Sequence, residues 1–179
     1  IKIERSSYRN QNWYIHTNKG HSINYNNIII CASLASQSLL LPLGHNYPMA
    51  PILGQAIEIE IRKDHKINLS RWPAVIMNQG VNLIPLTENK ILLGATLEAG
   101  ECPSQENLEL MKSIHGCKPN WIEDSITRNH WHGIRARPIN RGAPILQELE
   151  PGLILCAGHY RNGVLLAPAT AEWILKKII

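Results

Sequence analysis

No long run of like charge occurs in the 179 residues, and the 18 Lys and Arg are scattered among 14 Asp and Glu. The net charge of +4 therefore makes no nucleic-acid footprint. A mildly basic balance suits small anionic molecules equally well. No apolar stretch approaches the roughly 20 residues that a membrane-spanning helix needs, and no secretory leader is visible, so no membrane partner is expected. No CxxC pair is present. The four cysteines, Cys31, Cys102, Cys117 and Cys156, are dispersed. Cys31 and Cys156 lie in apolar runs, where a reduced, buried thiol is the usual outcome, and a reducing, cytoplasmic compartment is the expectation. Nor is there a GxGxxG loop, the glycine-rich turn that opens a dinucleotide-binding unit.

What is present describes a globular chain. Hydrophobic residues make up 44% and charged residues 18%, and the length fits one domain or pieces of two, enough to bury a core without staples. The densest signal lies near the end. Leu153-Ile154-Leu155-Cys156-Ala157 is an apolar run suited to a buried strand, and residues 167–177 read as a helix. Between them lies the turn Gly158-His159-Tyr160-Arg161-Asn162-Gly163. A strand feeding a helix through such a turn aims free backbone N–H groups at whatever sits above it. Glycines at both ends permit close approach, and Arg161 offers a rigid fork of donors for a carboxylate or phosphate. On spacing alone, an ordinary strand–turn–helix corner with a surface arginine competes with that reading.

The turn, followed by Leu165-Leu166-Ala167-Pro168, resembles the carboxy-terminal flavin-contacting segment of the FAD-dependent amino-acid oxidases, the D-amino-acid oxidase superfamily. It is most similar to the glycine oxidase branch, which serves thiamine biosynthesis. The resemblance covers nearly the whole chain but only the carboxy-terminal portion of such enzymes, which open with a strand, glycine loop and helix. A chain that starts at Ile1 and lacks that loop is therefore expected to be the carboxy-terminal part of a longer protein, partnered by a missing amino-terminal FAD domain. The resemblance implies FAD as cofactor, contacted by Gly158, His159, Tyr160, Arg161, Asn162, Gly163, Val164 and Leu165, and a small amino acid or amine as substrate. It leaves a homo-oligomer open.

The fold class expected is α+β: a mixed, largely antiparallel sheet with flanking helices in a substrate domain, plus the carboxy-terminal part of a Rossmann-like FAD-binding domain. Residues 1–44 are assigned to that FAD domain. Trp13-Tyr14-Ile15-His16-Thr17 alternates, residues 18–20 turn, residues 21–24 pair back, and residues 27–32 form a β-branched run for a buried parallel strand. Relatives end this strand in a glycine; here Ser33 takes the place, as a further cofactor contact. A short helix is expected over residues 37–43.

Residues 45–130 are expected to be the substrate-binding domain. Prolines mark residues 48–51 as a linker. Ile57, Ile59 and Ile61 then alternate with Glu58 and Glu60, whose carboxylates read as the solvated face of a strand rather than a catalytic or metal pair. Strands are expected at residues 74–77, 81–85 and 90–96, and a helix from Ser104 to His115 with Met111 in its core stripe. Asn82 matches a position where the glycine oxidase branch often carries an aromatic hydroxyl that contacts substrate. Asparagine keeps a donor but changes the pocket, so the substrate need not be glycine.

Residues 131–179 are expected to return to the flavin. Within Trp131-His132-Gly133-Ile134-Arg135-Ala136-Arg137-Pro138, Arg135 matches the family's substrate-carboxylate arginine. Relatives place proline directly after it; here Arg137 intervenes as a rival on the same strand face. His130 and His132 lack a third ligand at metal spacing and read as ordinary polar histidines, so no metal is expected. Arg135 and Arg161 would grip one carboxylate, or divide between substrate and flavin. The implied reaction is oxidative deamination by hydride transfer to FAD. A sarcosine-type or D-amino-acid dehydrogenase, and a cofactor-free fragment acting as a binding module, remain as alternatives.

Overall fold

The computed structural model describes residues 3–9 and 12–179. The fold is α+β, and the chain divides into two compact units, Ile1–Pro51 with Arg135–Ile179, and Ile52–Ile134.

The first unit opens with an antiparallel meander of β1 (Ile3–Arg9), β2 (Asn12–Thr17) and β3 (Ser22–Tyr25). Trp13 stands opposite Tyr8 and Tyr25. It is buried at 1% exposure, and its indole N–H donates to Pro151 O at 2.9 Å. A second sheet has the order β11-β12-β4, from Ile145–Glu150, Leu153–Ala157 and Ile28–Ile30. β12 is antiparallel to β11 and parallel to β4. All residues of β12 are buried, which is why its sequence is apolar without alternation. Trp13, Ile30, Leu40, Tyr47, Ile145, Leu153, Leu155 and Ala157 form one core around it. The short helix arrives earlier than expected: a 3-10 turn at Ser33–Ala35 leads into α1 (Ser36–Leu40) and a second 3-10 turn, Leu41–Leu43. Cys31 also departs from expectation. It is exposed rather than buried, because it lies just past β4, the end strand of its three-stranded sheet.

The second unit is built on a largely antiparallel sheet of order β10-β5-β8-β7-β6, from Ile126–Pro138, Met49–Glu60, Lys90–Gly94, Val81–Pro85 and Ile76–Asn78, with β9 (Glu98–Ala99) paired to β5. The expected linker at residues 48–51 is mostly strand. β5 begins at Met49, and Pro48 O accepts the N–H of Ile139 at 3.0 Å. One sheet face buries Ile57, Ile59, Val81, Leu83, Ile91 and Leu93 against Leu108, Met111 and Ile114. Leu108 and Met111 sit on α2 (Gln105–Lys112), with Ser104 as its N-cap, accepting from Asn107 N–H at 3.2 Å. A shorter α3 (Asn120–Glu123) follows, and β10 starts at Ile126, before the expected Trp131.

Glu58 and Glu60 occupy the opposite face, half-buried rather than fully solvated. Lys90 Nζ donates to Glu58 at 2.8 Å and Arg128 Nε to Glu60 at 2.7 Å. These bonds, foremost Lys90 on Glu58 and Arg128 on Glu60, hold both carboxyls below their ordinary 4.5. Glu98 is buried at 4% exposure. It accepts from Thr96 Oγ1, Gln55 Nε2 at 2.8 Å and Ser104 N–H at 2.7 Å. Burial alone would push this carboxyl up, but the donors outweigh it and hold it below 4.5. All three groups are depressed on folding. Their stabilisation is therefore fully present above about 4.5 and is lost as pH falls through the lower folded values. Chemical denaturation should show stability dropping steadily below pH 4.5. Glu98→Gln should cost about 1–3 kcal/mol at neutral pH, because its amide must face a donor, and should shallow that acid slope.

Candidate functional site

The corner after β12 is assembled from inside outward. Gly158 has φ +66, and a Cβ there would lie 2.6 Å from Pro138 Cγ and 3.1 Å from Pro138 Cδ. This glycine is required by left-handed backbone and by the proline packed on it, not by an outward approach as its sequence position suggested. At Gly163 the opposite holds: a Cβ would meet only His159 Cβ at 3.6 Å, an ordinary contact, so packing leaves room there. Tyr160 adopts φ +54. Asn162 N–H donates to His159 O at 3.0 Å, and the His159 ring is tied to Thr170 Oγ1 at 2.9 Å, fastening the turn to the helix it precedes.

That helix, α4, spans Gly163–Ile178, starting four residues before the expected 167 and enclosing Pro168. Proline sacrifices only the bond its N–H would make to Val164 O, and the apolar segment around it carries the helix through. The first helical bond near the turn runs from Leu166 N–H to Asn162 O at 2.9 Å. The amides of Gly163, Val164 and Leu165 precede it and point out of the positive end of the helix. Asn162 makes no side-chain cap. Val164 is 95% exposed and Leu165 79%. Free amides, a missing Cβ and two bare apolar side chains form a donor set suited to a flat ring, apolar on its faces and rich in acceptors at one edge. The residues fit the flavin that the resemblance implied.

The end of β10 meets this corner twice. Pro138 packs on Gly158, and the Arg137 guanidinium lies 5.9 Å from the Tyr160 ring centroid, within cation–π range. Ala136 and Pro138 are buried, so Arg135, half-buried, and Arg137, exposed, share the other strand face as alternation requires. Arg161 is exposed. Among the described residues, neither Arg135 nor Arg161 makes a hydrogen bond or ion pair, which leaves both forks uncommitted. Asn82 belongs to the second unit. It is half-buried on β7, on the face opposite Val81 and Leu83, in register with Gly94 and Met77.

Ser33 is exposed and has φ +53. The two parallel neighbours, β4 and β12, thus both turn through the left-handed region just past their carboxyl ends, where ligands of open α/β sheets bind. A serine pays conformational strain at that dihedral that glycine does not. Ser33→Gly is expected to raise stability by about 1 kcal/mol, read as a shift of the urea midpoint without a change in slope.

Two features escaped the sequence reading. The Arg137–Tyr160 contact depends on how two segments dock, which spacing does not encode. The buried Glu98 cluster extends through Gln55 Oε1 to His130 Nε2–H at 3.0 Å, and had no sequence signal, because a lone glutamate on a short strand reads as exposed. Among the described residues, no group of three His, Cys, Asp or Glu is placed to hold a metal. Among the same residues, no helix is long and apolar enough to cross a membrane.

Residues 1–176 match the family described as DAO, FAD dependent oxidoreductase. Glycine oxidase of Pseudomonas putida is 32% identical over 150 residues, covering 81% of this chain and 39% of its own length. The bifunctional protein ThiO/ThiG of Nostoc sp. is 30% identical over 155 residues, 84% of this chain and 22% of its own. This chain thus spans about two-fifths, or less, of the length of these relatives. Glycine oxidase from Geobacillus kaustophilus superposes with a TM-score of 0.82 at 22% identity, over 98% of this chain and 47% of that one. Glycine oxidase from Bacillus cereus gives 0.81 at 21%, over 99% and 49%. The structural likenesses establish the shared fold.

Proposed function

Since this chain belongs to the FAD dependent oxidoreductase family, we propose that it is part of an amino-acid oxidase of the glycine oxidase kind, deaminating glycine or another small amino acid. In this reading, residues 1–44 and 131–179 belong to the FAD side and residues 45–130 to the substrate side. The observation that carries it is the meeting of two motifs in one unit: Pro138 against Gly158 and Arg137 against Tyr160. The uncommitted forks of Arg135 and Arg161 lie on those same two segments.

Bound FAD supplies the acceptor for the hydride that leaves the substrate α-carbon. The chain's own residues do the rest. Gly163, Val164 and Leu165 offer their amides to the flavin edge, where the helix dipole favours negative charge. The Val164 and Leu165 side chains keep water off the ring. Ser33 and the turn from Gly158 through His159, Tyr160 and Asn162 complete the cofactor contact. Arg161 and Arg135 bind the substrate carboxylate and thereby aim the α-carbon. Asn82, half-buried on β7 of the other unit, keeps an amide donor of its own. No basic residue is assigned a proton from the amine; the site takes the amine in its neutral form, and the imine product hydrolyses in water. Where glycine is the substrate, that imine is the product thiamine biosynthesis consumes.

The complete protein is the material for the test. It should be yellow as purified, and should release peroxide with glycine, sarcosine or a D-amino acid. A colourless protein that takes up no FAD removes the flavin reading. A yellow protein that reduces an artificial acceptor but makes no peroxide is a dehydrogenase instead.

A further inference from the structure

β4 and β12 run parallel in the register Ile28–Leu153, Ile29–Ile154 and Ile30–Leu155. The next residues after these two paired stretches are Cys31 and Cys156. Neighbouring strands lie about 4.8 Å apart, inside the roughly 4.4–6.8 Å between Cα atoms that a disulfide bridges. In-register parallel neighbours also project to the same sheet face. The register therefore sets the two thiols side by side, and each one shifts the titration of the other. Their environments differ. Cys156 is buried at 3% exposure, whereas Cys31 is exposed and lines a cavity of about 510 Å³ with Ile30, Ala32 and Leu39. An oxidant therefore has a path to one thiol, with the second held beneath it.

We propose that Cys31 and Cys156 form a peroxide-responsive modification site that closes to an intramolecular disulfide. The Cys31 thiolate attacks one oxygen of hydrogen peroxide. A sulfur–oxygen bond forms, the oxygen–oxygen bond breaks, and the departing hydroxide takes the thiol proton as water. The Cys156 thiolate then attacks the Cys31 sulfenic sulfur. The sulfur–sulfur bond forms, the sulfur–oxygen bond breaks, and a second water leaves. Two thiols are oxidised by two electrons and one peroxide is reduced to two waters. Burial pushes both thiols up, Cys156 to about 11, so the reaction is slow and is followed over hours. The bridge would join the strands two residues before Ser33 and two before Gly158, the turns assigned to the cofactor. The site stands apart from the oxidase reading, which adds only a local source of peroxide; here peroxide is supplied from the bench, so failure of one leaves the other intact.

The test uses the complete protein carrying Cys102→Ser and Cys117→Ser, which removes the two exposed cysteines outside the pair in this chain, with each thiol followed by peptide mapping. On incubation with hydrogen peroxide, the Cys31 and Cys156 thiols should both become resistant to alkylation, and the peptides carrying them should emerge cross-linked within a monomer, lighter by two hydrogens than the two reduced peptides together. Dithiothreitol should restore both thiols. Adding Cys31→Ser should slow loss of the Cys156 thiol at least about tenfold, since the exposed partner is gone. Oxygen added to Cys31 without linkage, linkage only between molecules, or no reaction overturns the proposal.

Discussion

Gly158→Ala should destabilise the chain by about 2–4 kcal/mol, the larger of the effects expected on folding. Two costs add. A side chain at φ +66 costs on the order of 1 kcal/mol. The new methyl would also sit 2.6 Å from Pro138 Cγ, and a proline ring on a buried strand end has little freedom to move aside; such overpacking costs about 1–3 kcal/mol. Urea denaturation should show a lower midpoint with unchanged slope. A double-mutant cycle with Pro138→Ala separates the costs. Removing the ring should return the steric share and leave the dihedral share, giving a coupling of at least about 1 kcal/mol. A loss below about 0.5 kcal/mol in the single variant contradicts the packing described for this corner.

Arg161→Ala in the complete protein should raise KM for the amino acid at least tenfold, a charge-assisted pair of about 2 kcal/mol. The fold should not suffer, because the side chain is exposed and makes no hydrogen bond or ion pair among the described residues. Arg161→Lys keeps the charge and loses the fork, so an intermediate KM is expected. Arg135→Ala should behave like Arg161→Ala. Arg137→Ala should change KM little, because its guanidinium already lies over Tyr160. An unchanged KM in Arg161→Ala takes that residue out of the site. A large rise in Arg137→Ala with none in Arg135→Ala transfers the carboxylate to the rival.

The elements legible in the sequence were those whose residues face one environment throughout. β12 is apolar at every position because it is buried at every position, and β5 from Ala56 alternates because its two faces differ. α2 announced itself through Ser104 and the Leu108–Met111 stripe. Reading failed where neighbours overrode local preference. Pro48 and Pro51 suggested a linker, yet the strand starts between them, since an edge or a strand start tolerates the missing donor. The last helix was read over residues 167–177, yet α4 starts at Gly163 and encloses Pro168. Glu58 and Glu60 looked solvated, because cross-strand partners Lys90, Arg128 and Asn129 come from distant sequence. At the corner, the sequence pointed to Gly158, Gly163 and Arg161 as a group. It did not separate the glycine packed against Pro138 from the one with room for a side chain, a distinction made only by long-range packing.

The most direct test of the central claim is a structure of the complete protein with glycolate, an unreactive mimic of a small amino acid. An isoalloxazine ring should lie against the start of α4, with the acid's carboxylate within about 2.7–3.1 Å of the guanidinium nitrogens of both Arg161 and Arg135. A ring bound elsewhere, or a carboxylate held by other residues while both arginines stay in solvent, contradicts it.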